Sequence, residues 1–249
     1  MQDKIFQNKV CLITGGTRGI GKAIVQMFAR QAATLVITYR GDESAAAAAR
    51  QMLNEAGVVF ELVKCDSTNP AEIDSLIALI KQRFGRLDVL VNNAGRTFDG
   101  AFAALDPDEF LFVVDTNLLG TLRLSLAAIP LLTASKGTIV NMSSLAGVAG
   151  KEGQVVYATT KGGINGLTRM LARNLGGKGI RVNAIAPGFI RTEMVADLPE
   201  STYAHVLAGT ACGTMGEPED VANTAAFLAG AQSAYINGAV IRIDGGFHK

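Results

Sequence analysis

Short apolar runs and longer stretches of helical spacing alternate along this chain from end to end, and that alternation leaves few folds open. The apolar runs cover residues 9–14, 35–39, 58–63, 87–91, 137–141, 180–185 and 239–243. Between them, apolar residues recur at helical intervals, as in Ile24, Val25, Met27 and Phe28, or helix formers cluster, as in the alanine-rich 44–56. Asp106-Pro107-Asp108-Glu109 and Pro218 open further helices, and residues 191–216 lack clear periodicity and leave room for a lid. Strands separated by helices return parallel to one another, and a parallel sheet is covered on both faces. The pattern predicts an α/β fold, a doubly wound parallel sheet of about seven strands flanked by helices. No linker or repeat interrupts it, so residues 1–249 are expected to form a single domain.

The first apolar run breaks into Gly15-Gly16-Thr17-Arg18-Gly19-Ile20-Gly21 and a helix follows. Strand, glycine turn and helix N-terminus together make a phosphate cradle, because glycines let backbone N–H groups approach an anion that the helix dipole favours. The spacing, Thr-Gly-x-x-x-Gly-x-Gly, is neither Gly-x-Gly-x-x-Gly nor a P-loop, and a plain tight turn is the other reading. A dinucleotide with a free ribose 2′-hydroxyl calls for a carboxylate at the end of the second strand. Here that end reads Thr38-Tyr39-Arg40, with no acid before Asp42. Arg40 suits a 2′-phosphate, or it is an ordinary surface arginine. Arg18, inside the glycine turn, is expected beside the same ribose.

Farther along, Asn92-Asn93-Ala94-Gly95 closes the fourth run, lining a cofactor pocket or merely forming a turn. Asn117 falls inside the helix opened by Pro107, where asparagine is disfavoured; it lies at the surface or is there for its amide. Ser143-Ser144 ends the fifth run, and Tyr157 and Lys161 follow at i and i+4 of a helix carrying Ile164, Leu167, Met170 and Leu171. An ammonium one turn from a phenol favours the phenolate, so this tyrosine suits proton exchange with a carbonyl oxygen.

Composition excludes several alternatives. Lysines and arginines number 23 against 22 acids, with no charged block, so nothing favours nucleic acid or an anionic membrane. Cys11, Cys65 and Cys212 are far apart and accompany only 2 histidines, so no metal cluster is expected; they read as reduced residues of a cytoplasmic protein. Met1-Gln2-Asp3-Lys4 leads into a strand rather than a signal peptide. Residues 118–135 are weakly charged but contain Arg123 and Pro130, which suits a buried or interface helix better than a membrane span. Mean hydropathy is +0.27, so neighbouring subunits are expected to cover some apolar surface.

Thr14-Gly15-x-x-x-Gly19-x-Gly21, Asn92-Asn93-Ala94-Gly95, Asn117, Ser144 with Tyr157-x-x-x-Lys161, Pro187-Gly188 and Asp244-Gly245-Gly246 occur in an order and spacing that resemble the short-chain dehydrogenase/reductases. The resemblance covers essentially the whole chain and is nearest to the 3-oxoacyl-[acyl-carrier-protein] reductases. It implies a Rossmann-like fold, NADP(H) as cofactor and a homotetramer. It further implies that Tyr157 is the catalytic acid, that Lys161 lowers its pKa and bonds the nicotinamide ribose, and that Ser144 orients the carbonyl. Asn117 would hold a proton-relaying water. Gly15, Thr17, Arg18, Gly19, Ile20 and Gly21 would embrace the phosphates, with Arg40 nearby. Asp66 and Ser67 would meet the adenine, Asn93, Ala94 and Gly95 would pack beside the cofactor, and Pro187, Gly188, Ile190 and Thr192 would flank the nicotinamide. Enoyl reductases of this fold put six residues between tyrosine and lysine, against three here.

The substrate implied is a β-ketoacyl thioester on an acyl carrier protein, in fatty-acid or polyketide-like assembly. Lys136 and Lys178 offer a thin docking patch for such an acidic partner. Arg96-Thr97 after the Asn-Ala-Gly turn and Gly213-Thr214-Met215 depart from the common pattern and leave room for a free alcohol, sugar or steroid. A non-catalytic NADP(H)-binding regulator is the reading from another class, and the complete Ser144, Tyr157, Lys161 and Asn117 set disfavours it.

Overall fold

The computed structural model describes residues 4–98, 100, 105–193 and 199–248. Seven parallel strands, β1 (Val10–Thr14), β2 (Thr34–Tyr39), β3 (Phe60–Lys64), β4 (Val89–Asn92), β5 (Thr138–Met142), β6 (Arg181–Pro187) and β7 (Val240–Ile243), form one sheet in the order β3-β2-β1-β4-β5-β6-β7. The expected α/β, doubly wound sheet is present. Strand side chains alternate between two cores, because successive residues point to opposite faces. Cys11, Ile13, Leu35 and Ile37 join the core on one face, and Val10, Leu12, Val36 and Leu90 the core on the other. With both faces covered, β1 is buried at every position, which is why it reads as a continuous apolar run.

Helices α1 (Gly19–Arg30) and α9 (Pro218–Ala229) contribute to the first core. Helices α3 (Pro70–Phe84), α5 (Gly120–Ser135) and α7 (Val155–Leu175) contribute to the second. Local chemistry sets the helix starts. Asp42, Asn69 and Asp106 each accept a backbone N–H at the head of α2 (Glu43–Glu55), α3 and α4 (Pro107–Val114), and Pro70, Pro107 and Pro218 occupy first-turn positions.

The aperiodic stretch 191–216 contains a helix, α8 (Glu200–Gly209), while residues 194–198 lie outside the described residues. The helical run Pro107–Ser135 is long and apolar enough to cross a membrane by length and composition. Leu124, Ala128, Leu131 and Leu132 of that run are buried in the second core. Met170, counted above among the apolar positions of α7, is exposed.

Candidate active site

Strand order reverses between β1 and β4, so the turns leaving their C-terminal ends diverge and open a crevice between them. The glycine turn forms one lip. Gly15 and Gly19 have φ of 62° and 49°, a region that costs a side-chain-bearing residue. A Cβ on Gly21 would sit 2.2 Å from the Gly15 carbonyl oxygen, so α1 starts pressed against the turn that precedes it. Arg18 at the head of α1 makes no capping bond and the first turn holds no acid, unlike α2, α3 and α4. The first amides of α1 therefore have no side-chain acceptor, and their dipole end suits a pyrophosphate. Thr17 is buried and Ile20 half-buried beside them.

A hydrogen-bond lock ties this lip to the other. Thr14 Oγ1 accepts from the backbone N–H of Asn93 (2.9 Å) and of Ala94 (2.8 Å), while Asn93 Nδ2 donates to the carbonyls of Thr14 (2.9 Å) and Gly15 (3.0 Å). Gly95 continues the floor, since a Cβ there would lie 3.2 Å from Asn117 Oδ1 and 3.6 Å from Lys161 Nζ. The glycine turn, the Asn93–Gly95 turn and Lys161 are thus consecutive along one crevice.

Asn117 departs from its expected setting. It sits in a π-helical turn, Asp115–Leu119, between α4 and α5 and is buried; such turns often mark functional positions. Its amide clamps the segment after β4, with Oδ1 accepting from Arg96 N (2.9 Å) and Nδ2 donating to Arg96 O (2.9 Å) and to Thr160 Oγ1 (3.2 Å). Its backbone carbonyl accepts from Thr121 Oγ1. The side chain thus holds the crevice wall.

Helix α7 brings Tyr157 and Lys161 to the end of β5. Asn92 Nδ2 donates to Asn141 Oδ1 (2.8 Å) and Asn141 Nδ2 to Thr168 Oγ1 (2.9 Å), a buried polar chain from β4 through β5 to α7. Ser143 Oγ donates to the Lys161 carbonyl (3.2 Å), so Ser143 anchors the α7 backbone. Ser144, half-buried, accepts from Ala146 N through Oγ (3.2 Å). Lys161 is 5% exposed; its Nζ donates to the Met142 carbonyl (2.7 Å) and lies 5.6 Å from the Tyr157 ring centroid. Burial lowers its pKa from an ordinary 10.5 to about 8.

The adenosine end holds surprises. Arg18 pairs with Asp42 (3.1 Å), the residue that also caps α2, so its charge is partly answered within the chain. Arg40 lays its guanidinium 5.6 Å from the Phe112 ring centroid on α4, and Arg96 stacks on the same ring at 4.5 Å. Asp66 turns Oδ1 to the Thr68 amide and hydroxyl, organising the entry to α3, and Ser67 packs against Gly120, leaving no room for a Cβ there. At the other end, Leu145 N donates to the Pro187 carbonyl (2.8 Å), and Ile190 is buried and paired with Gly216. A Cβ on Gly188 would meet Asp244 at 2.7 Å, and one on Gly19 would meet Thr192 at 3.5 Å, so the segment after β6 arches back to the glycine turn.

The candidate docking lysines, Lys136 and Lys178, lie apart from this crevice. Lys136 packs against Gly179, the residue after Lys178, a Cβ there lying 3.2 Å from Lys136 Cγ, but both lysines precede β5 and β6 and so stand at the opposite edge of a parallel sheet. A patch there cannot flank the Tyr157 of its own chain. Periodicity gave no sign of Gly147, where a Cβ would lie 2.5 Å from the Lys161 carbonyl carbon, nor of Gly163, which admits Leu118 of the π turn. Phe112 and Thr160 were equally silent. Only close approach between elements distant in sequence gives these residues their roles.

A dinucleotide cradle running into a buried ammonium and a phenol defines an oxidoreductase that interconverts an alcohol and a carbonyl with a nicotinamide cofactor. Residues 15–248 match the family described as enoyl-(acyl carrier protein) reductase. The chain is 39% identical over 242 residues to the 3-oxoacyl-[acyl-carrier-protein] reductase of Thermotoga maritima, covering 97% of this chain and 98% of that one. It is 36% identical over 245 residues to the Escherichia coli protein of the same name, covering 98% of each. It is also 37% identical over 247 residues to a 3alpha-hydroxysteroid dehydrogenase of Mediterraneibacter gnavus, covering 97% of each. The chain belongs to the short-chain dehydrogenase/reductase family.

Proposed function

We propose that the chain is an NADPH-dependent ketoreductase that reduces a β-ketoacyl thioester to its β-hydroxyacyl product, in the manner of a 3-oxoacyl-[acyl-carrier-protein] reductase of fatty-acid synthesis. The observation that carries this reading is the convergence of Ser144, Tyr157 and Lys161 at the crevice end, in a chain alike over its whole length to two proteins so named. Ser144 Oγ donates to the ketone oxygen and Tyr157 Oη delivers the proton to it. The Lys161 ammonium stabilises the phenolate left behind and takes the cofactor's ribose hydroxyls. When bound, the nicotinamide supplies the hydride. Asn117 acts on the wall through Arg96 and Thr160, and Thr160 in turn donates to the Tyr157 carbonyl (2.8 Å). The three-residue Tyr–Lys spacing argues for carbonyl over enoyl reduction.

Purified protein is expected to oxidise NADPH with acetoacetyl thioesters far faster than with simple ketones of similar size. The steroid-dehydrogenase relative keeps a second reading in view, a free ring ketone or alcohol. Turnover of such ketones with none of the thioesters would replace the first reading by the second.

NADPH rather than NADH is favoured by Arg40. A guanidinium at the end of β2 suits a 2′-phosphate, and the Phe112 ring holds it without neutralising it. A charge-assisted hydrogen bond supplies roughly 10–100-fold. Arg40→Ala should lose most of the NADPH preference in kcat/KM, and Arg18→Ala less, because Asp42 already draws on Arg18. A wild-type preference for NADH would sink the assignment.

We read residues 1–249 as one domain, supported by the single sheet, and the protein as a cytoplasmic homotetramer with no nucleic-acid or membrane partner. Leu119, Leu126 and Met170, exposed on or beside α5 and α7, support association, as do Phe227 and Tyr235 near β7. A monomeric mass by light scattering at micromolar concentration would contradict it.

A further inference from the structure

We propose that Lys151 is a specificity-determining residue that receives an anionic group carried by the substrate beyond its ketone; this rests on the ketoreductase reading above. Lys151 lies in the connection between α6 (Ala146–Ala149) and α7, hence between Ser144 and Tyr157, where Gly150 and Gly153 turn the chain with φ of 78° and 75°. Its Nζ stands 5.0 Å from the Phe189 ring centroid, and Phe189 follows directly on Pro187-Gly188. The Phe189 ring is 5.4 Å from Phe247, whose backbone is fixed by a bridge to Thr210 and by donation to the Asp244 carbonyl. Three segments distant in sequence thus build one wall of two aromatic rings ending in an ammonium.

That wall joins the two segments that flank a ketone held by Ser144 and Tyr157. Neighbouring cations are already answered, Arg191 by Glu217 and Arg242 by Asp244, whereas the partner of Lys151 is a ring face. A cation over an aromatic face is weakly held and keeps its charge available. Two substrate chemistries carry the complementary group, a thioester on a phosphate-bearing pantetheine arm and a ring ketone with a carboxylate side chain. Both would use the same ammonium.

The test compares KM for acetoacetyl-CoA and for acetoacetyl-N-acetylcysteamine, which lacks every phosphate, in the wild type, Lys151→Ala, Lys151→Glu and Lys151→Arg. A parallel arm compares a carboxylated ring ketone with its methyl ester. The ratio of charged to uncharged KM should rise roughly fivefold in Lys151→Ala, the upper end for an exposed ion pair. It should rise further in Lys151→Glu and return to within about twofold in Lys151→Arg. An unchanged ratio in both arms, or equal loss with charged and uncharged substrates, overturns the proposal. If the wild type ignores both thioesters but reduces the ring ketone, the thioester reading fails, and the role of Lys151 stands or falls on the carboxylate and its ester. A wild type inactive in every arm overturns both.

Discussion

Replacing Tyr157 by phenylalanine is expected to lower kcat by ~10²–10⁴-fold while leaving the affinity for the dinucleotide nearly unchanged. The ring and its packing survive, so the loss reports the proton donor alone. Cofactor binding should survive because the groups proposed to hold it stay in place: the uncapped head of α1, the Asn93–Gly95 turn and the Lys161 ammonium. Steady-state rates and a fluorescence titration of cofactor, read together, separate this outcome from simple misfolding. Near wild-type turnover in Tyr157→Phe would remove the phenol from the mechanism. Loss of cofactor binding would mean that the hydroxyl serves the dinucleotide as well as the substrate oxygen.

Lys161→Met should have effects of opposite sign on function and on stability. The ammonium is buried with a backbone carbonyl as its hydrogen-bond acceptor, and burial has pulled its pKa down to about 8. Removing it should lower cofactor affinity and turnover together, because in the proposed mechanism one charge serves both the ribose and the phenol. In the ligand-free protein, however, the charged form is the costly one. The folded pKa lies below the unfolded value near 10.5, so the cost of holding the ammonium is fully present below pH 8 and fades as pH rises toward 10.5. The methionine variant should therefore be more stable than wild type at pH 7, by up to about 3 kcal/mol less the lost bond to Met142, and the gain should vanish near pH 10.5. Thermal unfolding without ligand across pH 6–10.5 reads this directly. In the wild type the same titration should weaken cofactor binding as pH climbs through 8, a slope the methionine variant should lack. Equal pH dependence of binding in the two proteins would show that Lys161 keeps its charge throughout and that its burial costs little.

Most of the fold was legible from the chain because both faces of a parallel sheet are buried. That requirement writes each strand as a short apolar run, and the crossover requirement writes a helix between each pair. Asp42, Asn69, Asp106 and the prolines at helix starts were legible for a related reason, since they satisfy backbone groups within a few residues of themselves. Where capping and burial gave weaker signals, the boundaries were less clear. Helix α8 was not recognised, because its amphipathic pattern is faint and only Val206 and Gly209 of it are buried. Asn117 was correctly singled out as a misfit in a regular helix, but the π turn that accommodates it was not foreseeable from spacing.

By itself the sequence determined the strand–helix alternation, the glycine turn, the one-turn separation of Tyr157 and Lys161 and the absence of an acid at the end of β2. All of these are interactions between residues close in the chain, or demands of burial that recur with a fixed period. The tertiary structure alone decided which groups are still free to act. It turned the Asn117 amide onto Arg96, spent part of the Arg18 charge on Asp42 and set Arg40 against Phe112. It put Lys136 and Lys178 at the wrong edge for their own Tyr157, and brought Lys151 against a ring 38 residues away in the chain. The reason is physical: a side chain's charge or hydrogen bond is available to a ligand only if nothing in the folded molecule has already satisfied it, and those competitors come from elements that only packing brings together.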